Sequence, residues 1–197
     1  MKSGGRMSAL HPKFIVGVGG SAGALKAYTA FLDALPSNTG MVFVIISHMN
    51  PSAYSQLALI LSRHTKMPVI VAAMKMPIRR NHVYVIPPGA DILIENYIFK
   101  VISPRSYRNK QIDVFFASLA EAMGSRAIGI VLSGYNGDGT EGCKQIKAKG
   151  GITFAQDMSA EVPHMPLTAQ ALGFVDFVMS PGKIAGKLKK LAAALKT

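Results

Sequence analysis

Short apolar runs alternate along this chain with longer amphipathic stretches, the pattern of a parallel sheet buried on both faces by helices. Phe14 to Val18 predicts a first strand, followed by a glycine-rich turn and a helix through Leu35. After a break at Pro36 to Gly40, Met41 to Ser47 predicts a second strand. Ser52 is placed to cap a helix with Leu57, Ile60, Leu61 and His64 on one face, and Pro68 opens a third strand, VIVAAM. His82 to Ile86, Asp91 to Glu95 and Tyr97 to Ser103 are short β segments separated by Pro87-Pro88-Gly89 and Glu95-Asn96, which predicts an antiparallel hairpin appended to a sheet edge.

A polar, basic loop from Ser103 to Gln111 leads back into helical periodicity at Ile112 to Met123. Ala127 to Ser133 predicts another buried strand, and Thr140 to Lys149 a helix stopped by Gly150-Gly151. Ile152 to Gln156 and Val175 to Ser180 complete the strands, with a helix between them near Pro166 to Leu172. Ser180-Pro181 opens a last helix with Ile184, Leu188, Leu191 and Leu195 facing the core and Lys183, Lys187, Lys189, Lys190 and Lys196 outside. The expectation is one α/β domain over residues 14–197, doubly wound and mainly parallel, behind a tail at residues 1–13.

Composition narrows the class. A length of 197 residues, 49% of them hydrophobic and 16% charged, suits one well-packed domain and argues against disorder. The longest unbroken aliphatic-aromatic run, Met41 to Ile46, is far short of the ~20 residues a membrane span needs. The N-terminus carries no apolar segment of the secretory kind, so the cytoplasm is the default compartment. Cys143 is the one cysteine, which excludes an internal disulfide and a multi-cysteine metal site. Twenty-two Lys and Arg against ten Asp and Glu leave a net charge of +12, which favours anionic partners: nucleic acid, lipid head groups or an acidic protein surface.

Candidate chemistry collects at predicted strand ends. The first turn, Gly17-Val18-Gly19-Gly20-Ser21-Ala22-Gly23, matches two overlapping motifs. Gly17, Gly19 and Ala22 fit the dinucleotide fingerprint G-x-G-x-x-G/A, but the second strand ends Ser47-His48-Met49-Asn50, without the acid that would hold a ribose. Gly19, Ser21 and Gly23 fit the nucleophile elbow G-x-S-x-G, which presents a serine hydroxyl above a strand. A glycine turn that merely packs strand against helix is the third reading. His48 follows the second strand and Asp138 the strand Ala127 to Ser133, so Ser21, His48 and Asp138 can share one rim as nucleophile, base and orienting carboxylate. Asp138 can equally cap the helix that follows it. The order Ser, His, Asp differs from that of α/β-hydrolases. His11, His64, His82 and His164 lack the spacing of a paired metal site.

The segments FIVGVGGSAG, VIISHM, VYVIPPG, AIGIVLSGYNGDGTEG and ITFAQD resemble, in order and spacing, the catalytic domain of the CheB-type chemotaxis protein-glutamate methylesterases. The stretch LSRHTKMPV…NHVYVIPPG is similar to the form in methylesterase–methyltransferase fusions. The resemblance implies a serine hydrolase with the triad Ser21, His48 and Asp138 and no metal or organic cofactor. It implies release of methanol from glutamate γ-methyl esters of chemoreceptors, with glutamine deamidation in some members. A methylated receptor or related signalling protein is then the partner, with a CheR-type methyltransferase as a second one, and neither specific nucleic acid nor membrane insertion is expected. Backbone N–H groups around Ala22 and Tyr135 are candidates for the oxyanion hole, and Met165 for the substrate cleft. The chain departs from the family at Ala24, usually glycine, and at His164-Met165-Pro166-Leu167, where the family reads G-M-P-R. The altered Leu167 loop motivates the alternative of a signalling or binding module that has lost turnover. Only thirteen residues precede the first strand, fewer than the about 120 a receiver domain needs to bury a core, so an uncovered cleft active without phosphorylation is expected.

Overall fold

A computed structural model describes residues 11–48, 54–106 and 108–194. Seven parallel strands form one sheet in the order β3-β4-β2-β1-β7-β8-β9. They are β1 (Ile15–Gly20), β2 (Val42–Ser47), β3 (Val69–Val71), β4 (His82–Val85), β7 (Ala127–Val131), β8 (Ile152–Gln156) and β9 (Phe177–Met179). A separate antiparallel pair joins β5 (Asp91–Glu95) to β6 (Ile98–Ile102). Six helices complete the fold: α1 (Ala24–Asp33), α2 (Tyr54–Leu61), α3 (Gln111–Met123), α4 (Thr140–Ala148), α5 (His164–Ala171) and α6 (Pro181–Ala194).

Strand alternation divides the core in two. Val16, Val18, Phe43 and Ile45 point to one face, where Tyr28 and Phe31 of α1, Leu57 and Leu61 of α2, and Ile184 and Leu188 of α6 cover them. Ile15, Val42, Val44 and Ile46 point to the other, covered by Phe115 and Phe116 of α3, Ile146 of α4 and Met165 of α5. All six residues of β1 and of β2 are buried, which is why both read as unbroken apolar runs rather than alternating ones.

On the second face, α3 comes close because β1 and β7 offer it no side chains at Gly17 and Gly129. Gly17 and Gly129 are partners in the β1–β7 register. A methyl group built at Gly17 would stand 2.6 Å from the Phe116 ring and one at Gly129 3.0 Å from the same ring. The aromatic ring thus lies in a dent formed by two glycines on neighbouring strands.

Several expectations need correction. The segment at His82 is not part of a hairpin: β4 lies inside the main sheet, parallel to β2 on one side and β3 on the other. Its Val83, Tyr84 and Val85 are buried, and a four-residue apolar strand carries no mark of its pairing direction. The hairpin of β5 and β6 is not attached to an edge strand. It forms its own layer, with Ile92, Ile94 and Phe99 in the α3-side core, and Pro77 bridges to Ile98. The third strand stops at Val71, since the chain turns after the Ala72 N–H reaches the Val85 carbonyl at 2.9 Å. His64 lies in a 3-10 turn after α2, not on the helix, and α5 begins two residues before Pro166. The proposed Ser52 cap, Leu195 and Lys196 lie outside the described residues.

Gly17→Ala is expected to force Phe116 off the sheet and cost about 1–3 kcal/mol, whereas Gly186→Ala, on α6 with nothing within 4 Å, should be neutral or stabilising by up to about 1 kcal/mol. Urea midpoints of the two variants, at unchanged slope, measure the contrast.

Candidate active site

The chain runs outward from β1 to β2 on one side and later returns to β7 on the other, so the carboxyl end of β1 is a topological switch point. Ser21 follows β1, His48 follows β2, and Asp138 lies in the loop after β7. Gly20 is paired with Ser47, so the next residues, Ser21 and His48, leave the ends of adjacent strands.

The elbow is tied down by its neighbours. The Ser21 N–H donates to the Ser133 carbonyl at 2.8 Å. The buried Ser133 hydroxyl donates to the Ala22 carbonyl at 2.7 Å and accepts the Val162 N–H at 2.9 Å, stitching together the loops after β1, β7 and β8. The Ser133 N–H is bound by the Gln156 side-chain oxygen at 3.1 Å. Gly23 has φ +70, and a methyl group there would meet Glu161 and the Ser133 hydroxyl at 2.8 Å, so the turn needs glycine on both counts. Helix α1 then starts with no side-chain cap, leaving the positive end of its dipole beside Ser21.

His48 and Asp138 meet. The Nε2 of His48 lies 2.6 Å from Oδ2 of Asp138, with the two side chains 5% and 0% exposed. Asp138 Oδ2 also accepts the Ile112 N–H at 3.0 Å, and its Oδ1 accepts the Asp113 N–H at 2.9 Å. Asp138 therefore caps α3, a helix that precedes it, and not the helix that follows. An ionised carboxylate can only accept, so Nε2 donates in this bond, and in the neutral ring Nδ1 then carries the lone pair. Nδ1 is buried and has no hydrogen-bond partner among the described residues.

The capping of α4 falls to Asp113, a residue that the motifs do not single out. Its Oδ1 accepts the Gly139 N–H at 2.8 Å and the Gly142 N–H at 2.9 Å, and its Oδ2 takes a hydrogen bond from Lys110 at 3.0 Å. Burial pushes the Asp113 carboxyl above its ordinary range; the Gly142 N–H pulls it down, the Asp138 charge pushes it up again, and Lys110 opposes. An acid in a helix's first turn is the sole trace of this in the sequence.

Of the oxyanion candidates, the Ala22 and Tyr135 N–H groups have no acceptor among the described residues, and the Tyr135 side chain is 70% exposed. Met165 is fully buried; its N–H donates to the Gly134 carbonyl at 2.8 Å, and its sulfur would touch any side chain at Gly134. It packs beneath the loop instead of lining a cleft. Leu167 is 43% exposed on α5. The other histidines sit elsewhere: His11 stacks on Tyr97, His64 pairs with Asp33 at 3.0 Å, His82 lies in β4 and His164 starts α5. Among the described residues, no three His, Cys, Asp or Glu side chains gather as metal ligands, and no helix is long and apolar enough to cross a membrane.

A parallel α/β sheet thus carries a serine elbow at its switch point and a hydrogen-bonded histidine–aspartate pair on the flanking strand ends, the setting of a candidate hydrolytic site. Comparison with known proteins makes this specific. Residues 16–188 match the CheB methylesterase family, and the chain belongs to that family of carboxylic-ester hydrolases. A relative from Leptospira interrogans is 34% identical over 172 residues, covering 85% of this chain and 89% of that protein. The protein-glutamate methylesterase/protein-glutamine glutaminase 2 of Methanospirillum hungatei is 30% identical, covering 90% of this chain and 52% of that protein. The structure of the CheB methylesterase catalytic domain from Thermotoga maritima superposes with a TM-score of 0.84 at 26% identity, covering 90% of this chain and 98% of that domain. Nothing in these relatives or in the site favours a module that has lost turnover.

Ser133→Ala is expected to leave the Val162 N–H and the Ala22 carbonyl unpaired and to cost about 1–3 kcal/mol, measured by thermal or urea unfolding.

Proposed function

We propose that this chain hydrolyses glutamate γ-methyl esters on a chemoreceptor or related signalling protein, releasing methanol, and deamidates glutamine at such sites by the same route. The observation that carries this reading is the His48–Asp138 hydrogen bond of 2.6 Å, which leaves Nδ1 of His48 as a base one strand away from Ser21. Ser21 attacks the ester carbonyl, and its proton passes to Nδ1 as the substrate brings the two side chains into contact. Asp138 holds the tautomer and balances the imidazolium charge. The tetrahedral oxyanion takes the N–H groups of Ala22 and Tyr135, assisted by the uncapped amino end of α1. His48 then protonates the departing methoxide, the acyl-enzyme forms, and water activated by His48 releases the glutamate. With glutamine, ammonia leaves in place of methanol. The substrate is supplied by a methyltransferase of the CheR type acting on the same glutamates.

Methanol release from a methyl-esterified receptor tests the reading. Ser21→Ala should abolish it. Asp138→Asn should lower turnover by roughly three to four orders of magnitude. The same substitution sets an amide against backbone donors at the start of α3, so stability should fall with it by about 1–3 kcal/mol. An active Ser21→Ala variant would overturn the proposal.

The charge of +12 should speed encounter with glutamate-rich receptor helices. kcat/KM should therefore drop as salt rises from about 0.05 to 0.5 M, over which the screening length shrinks several-fold. A flat salt profile would show that the lysines serve solubility alone.

A further inference from the structure

We propose that Asp113 is a positioning residue for the hydrolysis, acting through Asp138. The inference rests on the reading that Asp138 holds His48 during turnover.

Two buried carboxylates each bind the amino end of the other's helix. Asp138, just ahead of α4, accepts the Ile112 and Asp113 N–H groups of α3, and Asp113, on α3, accepts the N–H groups of Gly139 and Gly142 at the start of α4. All four bonds are between 2.8 and 3.0 Å, so the two helix ends are locked face to face. The Gly139 N–H belongs to the peptide unit that Asp138 itself forms with the next residue. Asp113 therefore grips the backbone that carries Asp138, while α3 grips its carboxylate. Gly139 has φ +94 and no side chain with which to anchor that peptide. Asp138 has one further backbone restraint, its own N–H to the Asn136 side-chain oxygen at 3.1 Å.

A residue serving only as a cap for α4 would need none of this reciprocity. Here the direction of Asp138 Oδ2, and with it the ring plane of His48, follows from where Asp113 holds the Asp138–Gly139 peptide. Lys110 completes the arrangement: its ammonium lies 3.0 Å from Asp113 Oδ2 and balances one of the two adjacent negative charges. The carboxylate of Asp113 raises the Lys110 pKa in turn, first through the hydrogen bond and then through its charge.

The test uses the full chain with Asp113→Ala, Asp113→Asn and Asp113→Glu. Two quantities are measured: steady-state methanol release from a methyl-esterified receptor, and the NMR signal of the His48 Nε2 proton, which reports the bond to Asp138 without turnover. Asp113→Ala is expected to lower kcat about ten- to a hundredfold with KM unchanged, and to lose the slowly exchanging Nε2 proton. Asp113→Asn keeps an oxygen for both glycine N–H groups and should recover most of both. If Asp113→Ala does not fold, Asp113→Glu decides, because it keeps the charge but displaces the acceptor, and it should show the same kcat loss. Asp176→Ala is the control. Asp176 is a carboxylate bound to the Thr153 N–H at the amino end of β8, and its removal should lower Tm but leave kcat and the proton signal intact. A folded Asp113→Ala or Asp113→Glu variant with wild-type kcat and a retained proton would overturn the proposal. If the native chain releases no methanol, the hydrolase reading fails, and the proton signal alone decides whether Asp113 orients the pair.

Discussion

The seating of α3 against bare backbone is the contact on which the site depends. Gly17 on β1 and Gly129 on β7 stand side by side in the sheet, and the Phe116 ring fills the space that their side chains would have occupied. Protein interiors are packed to crystal-like density, so a helix that loses side chains beneath it moves in until it meets backbone. One consequence is energetic, through the burial of Phe115, Phe116 and Leu119. The other is positional. A helix seated this closely carries its amino end, with unpaired N–H groups, to the level where the strands finish. Asp138 finds its donors there.

That placement gives one carboxylate two tasks. As an acceptor for the first turn of α3 it stabilises the fold, and as the partner of His48 it stabilises a ring orientation. Both oxygens accept hydrogen bonds and the group is buried, which restricts its freedom to turn. A charge-assisted hydrogen bond to a backbone N–H is stronger than a neutral one, and in a site of low dielectric the difference grows. The rigidity of the pair therefore comes from backbone donors, which do not depend on side-chain identity. The elbow is fixed in the same manner, by Ser133 and Gln156 acting on main-chain groups. Among the described residues, Nδ1 of His48 and the N–H groups of Ala22 and Tyr135 stay unpaired, and these are the groups that the proposed reaction uses.

Most elements were legible in the chain's pattern, because a strand buried on both faces and an amphipathic helix leave different periods in a sequence. The places of Ser21, His48 and Asp138 after strand ends were legible too, since each follows an apolar run and lies next to turn-forming residues. The role of β4 was not. A strand of four residues between two loops has the same composition whether it extends a hairpin or fills a gap between β2 and β3. The β5–β6 layer was recognised as a hairpin, but its seat over α3 depends on Ile92, Ile94 and Phe99 joining a core with side chains distant in the chain.

Local periodicity and turn chemistry suffice for the alternation of strands and helices, the glycine turn with its serine, and the histidine and aspartate at two further strand ends. Tertiary structure alone decided that β1, β2 and β7 are neighbours, that Nε2 and not Nδ1 of His48 faces Asp138, and that Met165 lies under the loop instead of in a cleft. It also decided that Asp113 and Asp138 brace each other across 25 positions of chain. The physical reason is common to all of these. Which partner a donor or a methyl group meets is set by strand order and helix depth, and both emerge only when the whole core is packed at once.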